Sequence, residues 1–190
     1  ARPPRARARP GLPAPPGGYT NFDYQYDSIG NITYKSDTGV MTYGSNAGPH
    51  ALTSAGGYSY QYDANGNMVV GKKKTLSYDA ENRLLQVNEL ATITSFLYDG
   101  DGGRVKKTRD DGRGTKEETT YIGSLFEIDS SGKTTKHIFA GANRVCSVTI
   151  DEGRGAKDAS YYHLDHLGSS SVITDASGEQ VEHYEYTPYG

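Results

Sequence analysis

Three side chains that could do chemistry stand within four positions of one another in "YYHLDHLGS", residues 161–169: His163, Asp165 and His166. Two imidazoles and a carboxylate are metal-ligand types, and a His-Asp pair can orient an imidazole as a base. On a strand, His163 and Asp165 would share a face and His166 would oppose them. A metal site needs several ligands converging with fixed geometry, and base catalysis of this kind needs a nucleophile motif beside the pair. Neither condition is met, so hydrogen bonding at a turn is the expected role. A second set of acids, Asp27, Asp63, Asp79 and Asp99, each follows a tyrosine. Glycoside hydrolysis needs two carboxyl groups about 5–10 Å apart across one cleft. Carboxylates at the same station of successive repeats do not build that cleft. Cys146, the single cysteine, excludes an internal disulfide and a CxxC zinc ribbon. It falls in the alternating run "NRVCSVTI" and reads as a sheet residue. The glycine run "GDGGRV" lacks the strand-loop-helix setting of a phosphate cradle. No catalytic residue, metal ligand or cofactor is expected.

The elements that position those acids repeat. "YQYDSIGNIT" (24–33) has a near copy in "YQYDANGNMV" (60–69), with "YDAENRL" from Tyr78 and "YDGDGGRV" from Tyr98. The Tyr26, Tyr62, Tyr78 and Tyr98 intervals are 36, 16 and 20 residues, the mark of stacked supersecondary units of about 20 residues. "MTYGSNAGPHALTSAGG" fills the long interval as a diverged unit, with Tyr43-Gly44 as its remnant. Before each Asp the residues alternate: Tyr58, Tyr60 and Tyr62 face one way, Ser59 and Gln61 the other. The Asp carboxylate can take backbone N–H groups two residues on. Gly30-Asn31, Gly66-Asn67 and Gly102-Gly103 then accept positive φ cheaply. Apolar residues resume after each pair, so Y-D-x-x-G-N reads as strand, turn, strand. The second half continues with hairpins around Asp129-Ser130-Ser131-Gly132, Asp151-Glu152-Gly153 and Asp175-Ala176-Ser177-Gly178. "KKK" at 72–74 reads as a solvated loop. No window carries a helical period; residues 79–90 come closest, and the turn before them favours a strand.

Composition agrees. Tyr occurs 16 times and Gly 24 times, Trp is absent, and mean hydropathy is −0.71. A tyrosine ring buries a large apolar body while its tip stays polar, which suits a half-buried sheet. Residues 1–18 hold four Arg, six Pro and no acid, and read as a disordered leader or linker. Setting those four arginines against the formal net charge of −3 leaves −7 on residues 19–190. That excludes a basic nucleic-acid footprint. No run approaches the ~18 apolar residues of a membrane span, and residues 1–18 lack the apolar core of a secretory signal.

These residues resemble the Rhs/YD-repeat proteins over about residues 19–190. The "YDxxGN" copies match the repeat. Residues 161–190 resemble the start of the Rhs repeat-associated core through Tyr162-His163, Asp165-His166-Leu167-Gly168-Ser169, Thr174-Asp175, Gly178 and Tyr186-x-Pro188-Tyr189-Gly190. The resemblance implies an all-β strip of antiparallel hairpins forming a twisted open sheet, in three parts: tail 1–18, repeat region 19–160, truncated core 161–190. It also implies a hollow shell that encloses a C-terminal toxin, as in bacterial Rhs and insecticidal Tc toxins, in a secreted or cell-surface bacterial protein. The partner would be the remainder of the same polypeptide, core and toxin, and the isolated strip should associate with itself. No self-cleavage element is present before Gly190, so autoproteolysis is not carried over. Four Tyr-Asp units are too few to close a cage. A carbohydrate-binding adhesion module is the alternative function, with carbohydrate as partner; a hydrolase stands third.

Overall fold

The computed structural model describes residues 22–44 and 48–186. The tail 1–18 and the motif residues Pro188, Tyr189 and Gly190 lie outside the described residues. Within them are eighteen β-strands and no helix, each strand paired antiparallel with its chain neighbours except between β5 and β6. β1 (Tyr24–Tyr26), β2 (Ile32–Lys35), β3 (Gly39–Tyr43), β4 (Leu52–Ala55) and β5 (Tyr58–Ser59) form a five-stranded sheet. A thirteen-stranded sheet follows in chain order. It opens with β6 (Gln61–Tyr62), β7 (Met68–Gly71), β8 (Lys74–Tyr78), β9 (Leu84–Glu89), β10 (Thr92–Tyr98) and β11 (Arg104–Asp110). It continues with β12 (Lys116–Ile122), β13 (Phe126–Asp129), β14 (Thr134–Ala140), β15 (Asn143–Asp151), β16 (Ala156–Leu164), β17 (Ser170–Thr174) and β18 (Gln180–His183). The meander is what period-two alternation between short turns dictates.

The single strip expected from the sequence is divided at Tyr60. Its N–H still reaches the Thr53 carbonyl at 3.0 Å, in the first sheet. Its ring is buried in the second, against Gly71. A Cβ on Gly71 would lie 2.6 Å from Tyr60 Cδ1 and 2.9 Å from Met68 Sδ. The ring therefore fits only because that strand residue has no side chain.

The loop read at 72–74 is a tight turn, and a further turn at Gly123 was not expected. Lys72 and Lys73 take φ of 49° and 65° between β7 and β8, a hairpin geometry that ordinarily selects Asn-Gly. "TTYIGSLFEI" is not one strand: it folds back at Gly123, φ 58°, into β12 and β13. Turns also fall at Asp111–Thr115 and at Gly141.

Among the described residues no second layer covers the sheets, and the buried apolar residues are Ala55, Tyr60, Cys146 and Ile173. Register assigns the faces, because directly paired residues share one. On one face lie Tyr62, Leu76, Tyr78, Val87, Phe96 and Tyr98, then Tyr121, Glu127, His137, Ser147 and Tyr162. On the other lie Ser77, Gln86 and Ser95, then Ile122, Phe126, Ile138 and Tyr161. The first face is the more buried over most of the sheet, with buried Cys146 an exception on the second.

Candidate functional site

The feature this sheet repeats is a turn. Asp63 ends the alternation after Tyr62, the last residue of β6. Its N–H donates to the Asn67 carbonyl (2.9 Å) and its own carbonyl accepts from Gly66 N–H (3.1 Å). Its Oδ1 accepts from Asn65 N–H (3.0 Å) and Asn67 N–H (2.8 Å), and its Oδ2 from the Asn67 amide (3.0 Å). One carboxylate thus satisfies the donors that a reversing chain leaves over. Asp27 repeats the pattern with Ile29 and Asn31, Asp79 with Glu81 and Arg83, and Asp99 with Asp101 and Gly103. Tyr26, Tyr78 and Tyr98 end their strands as Tyr62 does. The fourth turn position is left-handed in each: Gly30, Gly66, Asn82 and Gly102, with φ from 62° to 92°.

The same turn recurs where the sequence shows no Tyr-Asp pair. Asp111, Asp129, Asp165 and Asp175 each accept from the N–H groups two and four residues on. Asp165 therefore lies in a turn: β16 stops at Leu164, so the face that it would share with His163 on a strand does not arise. His166 is an exposed turn residue, while His163 Nε2 lies 3.0 Å from Thr174 Oγ1. The three do not converge, and no group of three metal-ligating side chains occurs among the described residues. Gly168 and Gly178 hold the left-handed position after Asp165 and Asp175, each at φ 85°.

Hydrogen bonds given to the charged form lower a carboxyl pKa. The Asn67 amide, then the backbone N–H groups around it, hold Asp63 below the usual carboxylate range. The Arg83 N–H leads at Asp79 and the Ser169 N–H at Asp165. At Asp27 desolvation is the largest single influence and acts upward, yet the donors from Asn31, Ile29 and Gly30 together outweigh it.

A β-bulge follows most of these turns, and it explains the tyrosine. Pairing slips after Gln25, Gln61, Ser77, Leu97 and His163. A bulge leaves ladder groups without regular partners. The next tyrosine along the rim reaches the carbonyl just before the slip. Tyr43 Oη donates to Ile32 O (2.9 Å), Tyr78 to Met68 O (3.0 Å), Tyr98 to Leu84 O (2.8 Å) and Tyr186 to Ser170 O (2.7 Å). Each tyrosine therefore clips onto the preceding turn. Burial, then the Asp27 charge, raise the Tyr43 phenol pKa, and burial with Asp63 does so at Tyr78. Tyr43 keeps the clip although Gly44 stands where Asp would, its N–H reaching Ala51 O at 3.0 Å across a longer loop. Tyr62 clips onto that loop at Leu52 O (2.9 Å), and His50 Nδ1 lies 2.7 Å from Asn31 Oδ1.

One constellation escaped sequence reading. Ser147 Oγ lies 2.7 Å from His137 Nδ1, and His137 Nε2 lies 3.1 Å from Glu127 Oε1. The residue types are those of an acyl-transfer triad. The setting is not: Ser147 is 5% exposed, and such chemistry needs an approachable nucleophile with donors for an oxyanion. The three are cross-strand neighbours on β13, β14 and β15, far apart in the chain, so no local pattern announces them.

Residues 17–190 match the Teneurin YD-shell family. The chain is 30% identical over 183 residues to the tRNA3(Ser)-specific nuclease WapA of Bacillus spizizenii. It is 28% identical over 182 residues to the tRNA nuclease WapA of Bacillus subtilis. Both alignments take in 90% of this chain and 8% of the relative, so the chain spans a small fraction of the curated proteins it matches. Two crystal structures, of TcdB2-TccC3-TEV and TcdB2-TccC3-Cdc42, share the fold with TM-scores of 0.53 and 0.50. Identity there is 18% and 17%, over 91% and 89% of this chain and 12% and 13% of those chains.

Proposed function

The chain belongs to the Teneurin YD-shell family, and from that premise we propose that it is a length of wall in a β-shell enclosing a toxin domain of the same polypeptide. The observation that carries this is the single-layer sheet. Two such sheets follow in chain order, bury four apolar residues among those described, and present edges that include β1 and β18. A sheet of that kind is a wall and not a core. The turn aspartates and clipping tyrosines hold it in shape without a second layer. On this reading residues 19–160 are repeat wall and 161–190 begin the core element, with 1–18 a leader or linker. Any catalysis, such as the nuclease activity named for the relatives, belongs to another part of the polypeptide. The protein would be bacterial and secreted or on the cell surface. Expressed alone, the chain associates through its edges and its uncovered apolar side chains.

The test is protease protection of the domain encoded downstream, in the full-length polypeptide. It should survive digestion, and become cleavable when residues 62–103 are deleted. A downstream domain that is digested equally with and without the deletion would refute enclosure.

A further inference from the structure

The sequence holds one Asn-Gly dipeptide, Asn65-Gly66, and it stands in the Asp63 turn. At the same station the sister turns carry Ile29-Gly30, Glu81-Asn82 and Asp101-Gly102. Asparagine followed by glycine suits a hairpin corner that needs a left-handed residue, and Gly66 takes φ 87°. The same pairing opens a side reaction of the asparagine. With no Cβ on the next residue, that residue's backbone nitrogen can approach the asparagine side chain unhindered. Every other asparagine of the chain is followed by a residue with a side chain. Asn65 is exposed, so water and base reach it.

The reaction balances with water as its only co-reactant. Gly66 N gives its proton to solvent base and attacks Asn65 Cγ. The N–Cγ bond forms, the Cγ–Nδ2 bond breaks and ammonia leaves, closing a succinimide ring. Water then opens either ring carbonyl and leaves aspartate or isoaspartate at position 65.

The folded rim holds both reacting groups. Gly66 N–H, the attacking group, donates to the Asp63 carbonyl at 3.1 Å. Asn65 Nδ2, the leaving group, donates to Asn82 Oδ1 in the next turn at 2.9 Å. Asn65 N–H is itself held on Asp63 Oδ1 at 3.0 Å. Asn82 Oδ1 also accepts from Asn67 Nδ2 at 2.7 Å, so one amide ties the two turns together twice. Attack requires these bonds to open. We propose that Asn65 is a deamidation site, silent while the rim is closed and converted when the Asp63 turn opens. Conversion then prevents the turn from closing as before. Either product puts a carboxylate, which donates nothing, against Asn82 Oδ1. Isoaspartate also adds a main-chain carbon between Asp63 and Asn67. Asp63 Oδ1 then no longer meets both N–H groups, two and four residues on. The site goes beyond the wall role and does not depend on what the shell encloses.

The intact chain would be held in alkaline buffer, with and without unfolding urea, and position 65 followed by peptide mapping and mass spectrometry. In urea, Asn65 should convert faster than every other asparagine. In native buffer its conversion should be at least about tenfold slower, a ratio that reports how seldom the turn opens. Asn82→Gly keeps the left-handed corner and removes the acceptor. It should speed conversion in native buffer by roughly three- to tenfold and leave the rate in urea unchanged. Asn82→Asp restores an oxygen acceptor and should restore the slow rate. Equal rates in native buffer and in urea would overturn the proposal. So would faster conversion of another asparagine in urea, or the same native-buffer rate in Asn82→Gly and Asn82→Asp.

Discussion

From β6 to β10 the side chains of Tyr62, Leu76, Tyr78, Val87, Phe96 and Tyr98 lie on the half-buried face of the sheet, while Ile93 and Leu97 face out; from β12 to β16 Ile122, Ile138 and Tyr161 lie on the exposed face. Leu76, Val87 and Phe96 belong to the first arrangement. Ile122, Ile138 and Tyr161, at 58%, 49% and 42% exposure, belong to the second. The more buried face there carries Glu127, His137 and Ser147 instead. The change coincides with a change in spacing. Successive turns of a meander alternate between rims, so two strands between aspartates keep the turn on one rim. Asp63, Asp79 and Asp99 keep it that way; a single strand, β11, separates Asp99 from Asp111 and moves the turn across. The turn chemistry is thus shared by the two regions, while what the faces carry is not. The first region uses its apolar face within the chain. The second holds its apolar face out, and the isolated chain leaves it uncovered. Of the tyrosines expected to form exposed apolar patches, Tyr58, Tyr60, Tyr62, Tyr184 and Tyr186, Tyr60 is buried and Tyr62 is clipped, while Tyr184 and Tyr186 stand 44% and 50% exposed.

Acid should act on both regions at once and have the largest effect. The folded carboxyls of Asp63, Asp79, Asp129 and Asp175 titrate below their usual range. A depressed folded pKa stabilises fully above the unfolded value, about 4, and that contribution fades as pH falls through the folded pKa. Urea midpoints should hold from neutral pH to about 5 and then drop. Asp63→Asn and Asp129→Asn should each flatten the drop; a change from only one of them would mean the turn is not common to both regions.

Next in size is Gly71→Ala. The added Cβ displaces Tyr60 from the junction of the sheets, at a cost of about 2–3 kcal/mol. Gly153→Ala, whose Cβ would meet only Asp151 Oδ1 at 3.5 Å, should stay within about 0.5 kcal/mol. Equal urea midpoints for the two variants would remove Tyr60 as the junction.

Phenol deletion separates the regions more finely. Tyr78→Phe and Tyr98→Phe lose a hydroxyl-to-carbonyl bond and should cost about 1 kcal/mol each. Tyr161→Phe should cost nothing measurable. If all three behave alike, the clips do not hold the first region.

The smallest effect is a gain. Replacing Lys72-Lys73 by Asn-Gly relieves two left-handed lysines and should raise stability by roughly 0.5–1 kcal/mol. A loss in thermal midpoint would show that those lysines act through contacts and not backbone strain.

The sequence by itself determined the all-β class, the absence of a helical period and the strand-turn-strand reading of Tyr62-Asp63 and its copies. Those follow from neighbours: alternation, an Asp that reaches two residues on, and a glycine at positive φ are all written within ten residues. The tertiary structure alone decided the rest. That Tyr78 clips Met68, that Ser147 meets His137 and Glu127, and that Tyr60 needs Gly71 bare are facts of register across strands. The turn at Asp111 escaped for the opposite reason: it lacks the tyrosine. At Lys72-Lys73 the loop was legible but its left-handed backbone was not, because lysine is a poor left-handed residue and strand pairing overrode propensity. The exchange of faces was invisible for the same cause. Alternation reports which residues share a side of a strand, and only the pairing of that strand with its neighbours says which side of the sheet it is.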